Sequence, residues 1–247
     1  MDIPSLAMSD VPYVTTEQMI EVDRAMMEDY HIELIQMMEN AGRNLADLAR
    51  RRFLKDQPDG KLVAVLAGTG GNGGGALVCA RRLNNWGADV RVYTTKPDDA
   101  FTPIPAHQLD VLHRMQVPVD AANAVSKLDA PDLIVDGIIG YSLNVAPRGT
   151  AADLIHWTNG QAAPLLSLDA PSGVDTTSGI VFDPAIRATA TMTLALPKAG
   201  LQASGVAATV GELYLADISV PPALYKEPAL RLNVGSIFAQ SDIIRLI

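Results

Sequence analysis

The chain has 247 residues, 48% of them hydrophobic and 19% charged, which is ample apolar material for a core and excludes a disordered chain. Lysine plus arginine number 19 and aspartate plus glutamate 28, and the net charge of −9 argues against general binding to nucleic acid or an anionic membrane. A phosphate ligand stays open, because backbone amides at a helix N-terminus hold one locally.

Aromatic residues make up only 5% while Ala, Val, Leu and Ile dominate, a mixture that suits a layered α/β protein. The single cysteine, Cys79, excludes an internal disulfide and a cysteine-based zinc site, and reads as a small buried residue. Met1–Val14 has neither a basic nor an apolar leader pattern. No apolar run approaches the ~18 residues of a membrane-spanning helix. The expectation is a soluble cytoplasmic protein, folded as one domain over 1–247.

In chain order, residues 1–13 read as a loose arm. Thr15 and Gln18 have capping-box spacing, and Met19, Ile20, Ala25 and Met26 follow on one helical face. After a break at Tyr30-His31, residues Leu34, Met38, Ala41, Leu45 and Leu48 give a second amphipathic helix. Arg50-Arg51-Arg52 near its end complements the helix dipole. Met26, Met27, Met37 and Met38 offer apolar surface that either joins two copies in a homodimer or, more simply, covers the sheet.

From Lys61 onward, short apolar runs alternate with helical stretches. Strands are expected at Leu62–Ala67, Val90–Tyr93, Leu133–Asp136, Leu165–Asp169, Thr191–Leu196 and Leu213–Asp217. Helices are expected at Gly75–Trp86, Ala106–Met115 and Ala151–Trp157, with Asp98–Pro105 a loop and 225–247 an unassigned tail. Strands this continuously apolar are covered on both faces, and their alternation with helices implies right-handed crossovers and a mostly parallel sheet.

In such a sheet, ligands sit beyond the carboxyl ends of the strands. Those ends carry Gly68–Gly75, Asp136–Ser142, Asp169–Asp175 and Pro197–Gly200, so polar and glycine residues gather at one edge. The glycine run is no Walker loop, since no Gly-Lys-Ser/Thr follows. It contains Gly68-x-Gly70-x-x-Gly73, but the second strand ends in Tyr93-Thr94-Thr95 instead of an acidic residue, against an ordinary dinucleotide dehydrogenase site. Asp136 or Asp169 alone reads equally as a cap; together beside the glycine loop they suggest a cation site, a ribose contact or acid/base chemistry. Asn72, Asp136 and Ser172 are hard oxygen ligands suited to a group 1 or 2 cation and poor for zinc. Lys198 reads as a ligand-binding or a solvated loop lysine. His31, His107, His113 and His156 lie on different elements without metal-ligand spacing, and read as structural or surface residues.

Five segments then stand together: Met38-Glu39-Asn40-Ala41-Gly42, Gly68–Gly74, Asp136-x-x-x-Gly140, Asp169-x-Pro171-Ser172-Gly173-x-Asp175 and Leu196-Pro197-Lys198-x-Gly200. In this order, from about Tyr13 to Pro221, the chain resembles the YjeF N-terminal domain family, best known for NAD(P)H-hydrate epimerase. The resemblance implies a Rossmann-like three-layer fold with N-terminal helices packed on the sheet. It implies a stand-alone isomerase that interconverts the R and S forms of hydrated NADH or NADPH, with a separate dehydratase restoring the S form. It implies a potassium ion on Asn72, Asp136 and Ser172. The substrate would lie along Gly71, Asn72, Gly73, Gly74 and Gly75, along Gly140, Tyr141, Ser142, Leu143, Asn144, Val145 and Ala146, and against Asp169 and Lys198, with Asp169 the candidate acid/base. The family's loop usually reads Gly-Pro-Gly-Asn-Asn-Gly-Gly-Asp-Gly; here Thr69, Gly71, Gly75 and Ala76 replace the Pro, first Asn, Asp and last Gly. A non-catalytic binding or dimerisation module of the same fold, and another nucleotide-binding enzyme, are the alternatives.

Overall fold

The structure, a computed structural model, describes residues 3–247. In chain order its main elements are β1 (Ser5–Leu6), α1 (Thr16–Glu28), α2 (Leu34–Leu48), β2 (Leu62–Ala67), α3 (Gly71–Asn85), β3 (Asp89–Thr94), α4 (Pro103–Arg114) and β4 (Val119–Ala121). There follow β5 (Leu133–Gly137), α5 (Thr150–Asn159), β6 (Leu165–Leu168), β7 (Ala190–Leu194), α6 (Ala207–Val210), β8 (Glu212–Ala216), α7 (Pro222–Tyr225) and β9 (Ile243–Leu246). Among the described residues the strands form one nine-stranded sheet ordered β1-β9-β8-β7-β6-β5-β2-β3-β4. Only the β8–β9 pair is antiparallel.

Side chains alternate across the sheet, so the apolar runs serve two cores at once. From β2, Val63, Val65 and Ala67 join Leu45, Leu48, Leu77 and Leu83 on the side of α2 and α3. Ala64 and Leu66 join Ile134, Leu154 and Ile155 on the side of α5. The α/β sandwich expected from the sequence is thus realised. The chain leaves β2 towards β3 and later returns to its other flank as β5. The switch in strand order therefore lies between the carboxyl ends of β2 and β5, where a crevice opens.

The N-terminal helices are fixed to this edge. Thr15 and Gln18 form the expected capping box, with Gln18 N–H donating to Thr15 Oγ1 at 3.2 Å and Thr15 N–H to Gln18 Oε1 at 2.9 Å. At Gly42, α2 meets α3 so closely that a Cβ would stand 2.4 Å from Val78 Cβ, so the Met38–Gly42 segment is a packing device.

Several expectations are corrected. From residue 3 on, the expected loose arm is held in place, because β1 pairs with β9 and Met8 N–H donates to Ile247 O at 2.9 Å; its first two residues lie outside the described ones. The unassigned tail supplies β9 and buries Leu230 and Val234. Short β4 carries no readable run. Helix α3 starts at Gly71, four residues before the expected start, since tertiary packing overrides glycine's weak helix propensity. Helix α4 starts at Pro103 inside the expected loop, where proline suits the first helical turn. Met26, Met37 and Met38 are buried within the chain, which leaves Met27 as the exposed member of that group. After α2 one π-helical turn, Ala49–Phe53, carries the arginines: Arg50 and Arg51 pair with Asp47, and Arg52 with Glu212. All four histidines are exposed, and Cys79 is a free buried thiol that burial pushes up in pKa.

Candidate active site

The floor of the crevice is made where two loops touch. A Cβ on Gly68 would lie 2.0 Å from Ile138 O, so only glycine lets the ends of β2 and β5 meet. Only Gly68, Thr69 and Gly70 separate β2 from α3, and the first helical bond there runs from Gly74 N–H to Gly70 O at 3.0 Å. The N–H groups of Gly71, Asn72 and Gly73 precede that bond and have no intrahelical acceptor. All three residues line the crevice, where the open amides and the helix dipole favour an anion.

Below the loops lies Asp136, with no exposed surface. Its Oδ1 accepts from Ser172 Oγ at 2.6 Å and Ile138 N–H at 3.1 Å; its Oδ2 accepts from Ser167 Oγ and Ser172 N–H, both at 2.9 Å. Burial pushes its pKa up, and these hydrogen bonds oppose the rise. No ion pair reaches Asp136 among the described residues. The Asn72 side chain packs against Gly140, its Oδ1 3.2 Å from where a Gly140 Cβ would be, and its buried amide nitrogen has no hydrogen-bond partner. The Asp136 carboxyl, the Asn72 amide oxygen and the Ser172 hydroxyl are hard oxygen donors of the kind that suit a singly charged cation. The Ser172 hydroxyl has a second acceptor in Ile139 O at 3.1 Å, so turning its proton there frees a lone pair of Asp136.

Asp169 sits at the end of β6 with φ +66°. The Ala170 N–H to Leu168 O bond of 2.8 Å makes it the centre of a γ-turn. Ala195, φ +63°, centres a second such turn at the end of neighbouring β7, closed by Leu196 N–H to Leu194 O at 2.7 Å. Positive φ at a γ-turn centre is strained and rare away from functional sites. The paired turns bring Lys198 onto Asp169. Its ammonium is fully buried and donates to Asp169 Oδ1, to Leu194 O at 2.8 Å and to Thr193 Oγ1 at 3.3 Å. All three ammonium protons are therefore used. Lys198 is a buried partner of Asp169 and not a solvated loop lysine. The N-terminal segment locks this loop: Val14 N–H donates to Pro197 O at 3.0 Å and Ala199 N–H to Val14 O at 2.8 Å.

The crevice has a volume of about 950 Å³, within the range of small-molecule sites. Of the expected substrate residues, Gly71, Asn72, Gly73, Gly75, Gly140, Tyr141, Ser142, Asp169 and Lys198 line it. Gly74 packs behind it against Met38, and Leu143, Asn144, Val145 and Ala146 lie outside its wall, Val145 being exposed. The opposite wall is α1, which adds Met19, Ile20 and Asp23. Asp23 accepts a short hydrogen bond from Tyr141 Oη. Burial pushes its pKa up; the Tyr141 bond and the charge of Lys198 pull it down, and Asp169 pushes it up again. Sequence reasoning missed Asp23. The available signal was an acid on the apolar stripe of α1, four residues after Met19 and three before Met26. Lys96 and Arg148 at the crevice rim were missed as well.

The family model described as YjeF-related protein N-terminus matches residues 34–200. A protein of Dehalogenimonas lykanthroporepellens named NAD(P)H-hydrate epimerase is 40% identical over 237 residues, covering 94% of this chain and 92% of that protein. One of the same name from Rhodopirellula baltica is 30% identical over 231 residues, covering 92% of each. A bifunctional NAD(P)H-hydrate repair enzyme of Salinibacter ruber is 33% identical over 225 residues, and the match takes in 85% of this chain but 41% of that longer protein. The crystal structure of the yeast protein ynu0 (YNL200c) superposes with a TM-score of 0.81 at 24% identity, covering 96% of this chain and all of that one, which bears on the fold alone. The match over residues 34–200, together with these relatives, makes the chain a member of the YjeF-related protein N-terminus family.

Proposed function

We propose that this chain is an isomerase that interconverts the R and S forms of hydrated NADH and NADPH. The observation that carries the reading is the buried Asp169–Lys198 pair on the floor of a dinucleotide-sized crevice, facing the open amides of α3. Identity of 40% to a named epimerase across nearly the whole chain supports it.

The reacting carbon carries a hydroxyl and the ring nitrogen. Inversion by ring opening needs a base at that hydroxyl: the O–H pair closes a carbonyl, the C–N bond breaks onto nitrogen, and rotation with reclosure gives the other hand. Asp169 is the candidate base. Lys198 fixes its position, and the γ-turn aims its carboxylate into the crevice. The amides of Gly71, Asn72 and Gly73 would take a phosphate of the dinucleotide, and Gly140, Tyr141 and Ser142 would flank its other side. Asn72, Asp136 and Ser172 would hold a potassium ion, which supplies charge that neutralises Asp136 and ties the two loops together. A separate dehydratase would use the S product. The single buried thiol and acidic surface suit the cytoplasm.

The test is a coupled assay. R-enriched hydrate is mixed with an S-specific dehydratase in potassium buffer, and return of reduced-nicotinamide absorbance is followed with and without the chain. Acceleration by the parent, lost in Asp169→Asn with dinucleotide binding retained, is expected. No acceleration by folded parent protein sinks the reading and leaves a binding module.

A further inference from the structure

Ring opening has two proton transfers, and Asp169 accounts for one. As the C–N bond breaks, its electron pair goes to the ring nitrogen, which must take a proton; on reclosure that proton returns. The donor must line the crevice, lie near Asp169 and hold a proton near neutral pH.

Lys198 does not meet these conditions, because its three protons are committed to Asp169, Thr193 and Leu194. Asp136 is engaged beneath the loops by four donors. Arg24 is bound to Glu21, Glu28 and Asp29 and holds its protons. Asp23 remains. It lines the crevice from α1, opposite the ends of β6 and β7, and its carboxyl is paired with the Tyr141 hydroxyl.

Resting on the epimerase reading, we infer that Asp23, paired with Tyr141, is the second catalytic group: it gives a proton to the ring nitrogen as the C–N bond breaks and takes it back on reclosure. Four titratable groups bear on Asp23: Tyr141, Lys198, Asp169 and Tyr225. Burial favours the protonated form of Asp23, while Asp169 is ion-paired with Lys198. One carboxyl group bound to a tyrosine hydroxyl and another bound to an ammonium, both lining one crevice, offer an acid and a base to the same reaction. The charge balance closes: the hydroxyl proton goes to Asp169 and the Asp23 proton to nitrogen, and both return with the ring.

The coupled assay separates this inference from the reading beneath it. In Asp23→Asn, kcat is expected to fall at least about 100-fold, with KM and affinity for reduced dinucleotide within about threefold of the parent. In Tyr141→Phe, loss of the hydrogen bond that lowers the Asp23 pKa moves the alkaline limb of the kcat profile to higher pH. Asp23→Asn with kcat within about threefold of the parent overturns the inference, as does equal loss of kcat and binding. Should Asp23→Asn fail to fold, an unmoved Tyr141→Phe profile overturns it instead. Activity in the parent with either of these results refutes Asp23 alone; an inactive, folded parent refutes the epimerase reading and this inference together.

Discussion

Replacing Lys198 by Met is the sharpest test of how the crevice floor is built. The lysine side chain is fully buried and the Asp169 side chain is 4% exposed, so the pair has exchanged water for each other and for Thr193 and Leu194. Lys198→Met keeps most of the volume but leaves a buried carboxylate without its ammonium, at a cost of about 3–5 kcal/mol. The Leu194 carbonyl also loses its 2.8 Å donor, a loss of about 1 kcal/mol already contained in that range. For a chain of this size each kcal/mol moves Tm by roughly 2–4 °C, so the expected drop is about 6–20 °C. Lys198→Met combined with Asp169→Leu removes the stranded charge and is expected to recover up to about 3 kcal/mol of it. Urea unfolding of the four members of the cycle measures both quantities. A Lys198→Met protein within about 1 kcal/mol of the parent, or a double variant no better than the single, refutes the buried ion pair as the organising contact.

Other contacts give independent tests. The Arg52 hydrogen bond lowers the Glu212 pKa from 4.5 to about 2, helped by Tyr214 and Arg245 against burial. A depressed carboxyl contributes stability above its unfolded pKa that is lost as pH falls through the folded one. With solvent screening, the parent should lose about 1 kcal/mol between pH 4.5 and 2 that Arg52→Met never had, measurable by urea titration across that window. Gly68→Ala drives a Cβ into Ile138 O and should cost about 1–3 kcal/mol, read as a lower Tm together with weakened dinucleotide affinity. Gly71→Asn, which restores the residue usual in the family's loop, meets open space and should change stability by less than about 0.5 kcal/mol. Exchange of potassium for choline at constant ionic strength should lower the parent's stability by about 1.4 kcal/mol for a site of roughly 10 mM affinity at about 100 mM salt. Asn72→Ala and Asp136→Asn should abolish that difference in thermal melts.

Much of the layered fold was legible before any coordinates. A buried parallel strand is a short apolar run whatever its partners, so β2, β3, β5, β6, β7 and β8 stood out, and the residues just past them marked the crevice edge. Elements without a local period did not stand out. β1, β4 and β9 are two to four residues long and exist only through the strands they meet. The start of α3 among glycines is set by packing against β2 and α2.

The candidate site divides in the same way. Asn72, Asp136, Asp169 and Ser172 stood out as candidates because each lies at or just beyond the carboxyl end of a strand, and a strand end has a fixed place in this architecture. Their identities as donors, acceptors and hard ligands are properties of the residue types. Which of them meet, and with what, is a long-range matter. Lys198 reaches Asp169 across 29 positions of sequence, and Asp23 reaches Tyr141 across 118. Neither contact leaves a trace in local spacing. The charge state and direction of each group come from burial and from neighbours that only the folded chain assembles. The sequence by itself determined the layers and the edge where chemistry can occur, because burial of apolar runs is a local property. The tertiary structure decided which carboxylates face one another there, because that depends on contacts between segments far apart in the chain.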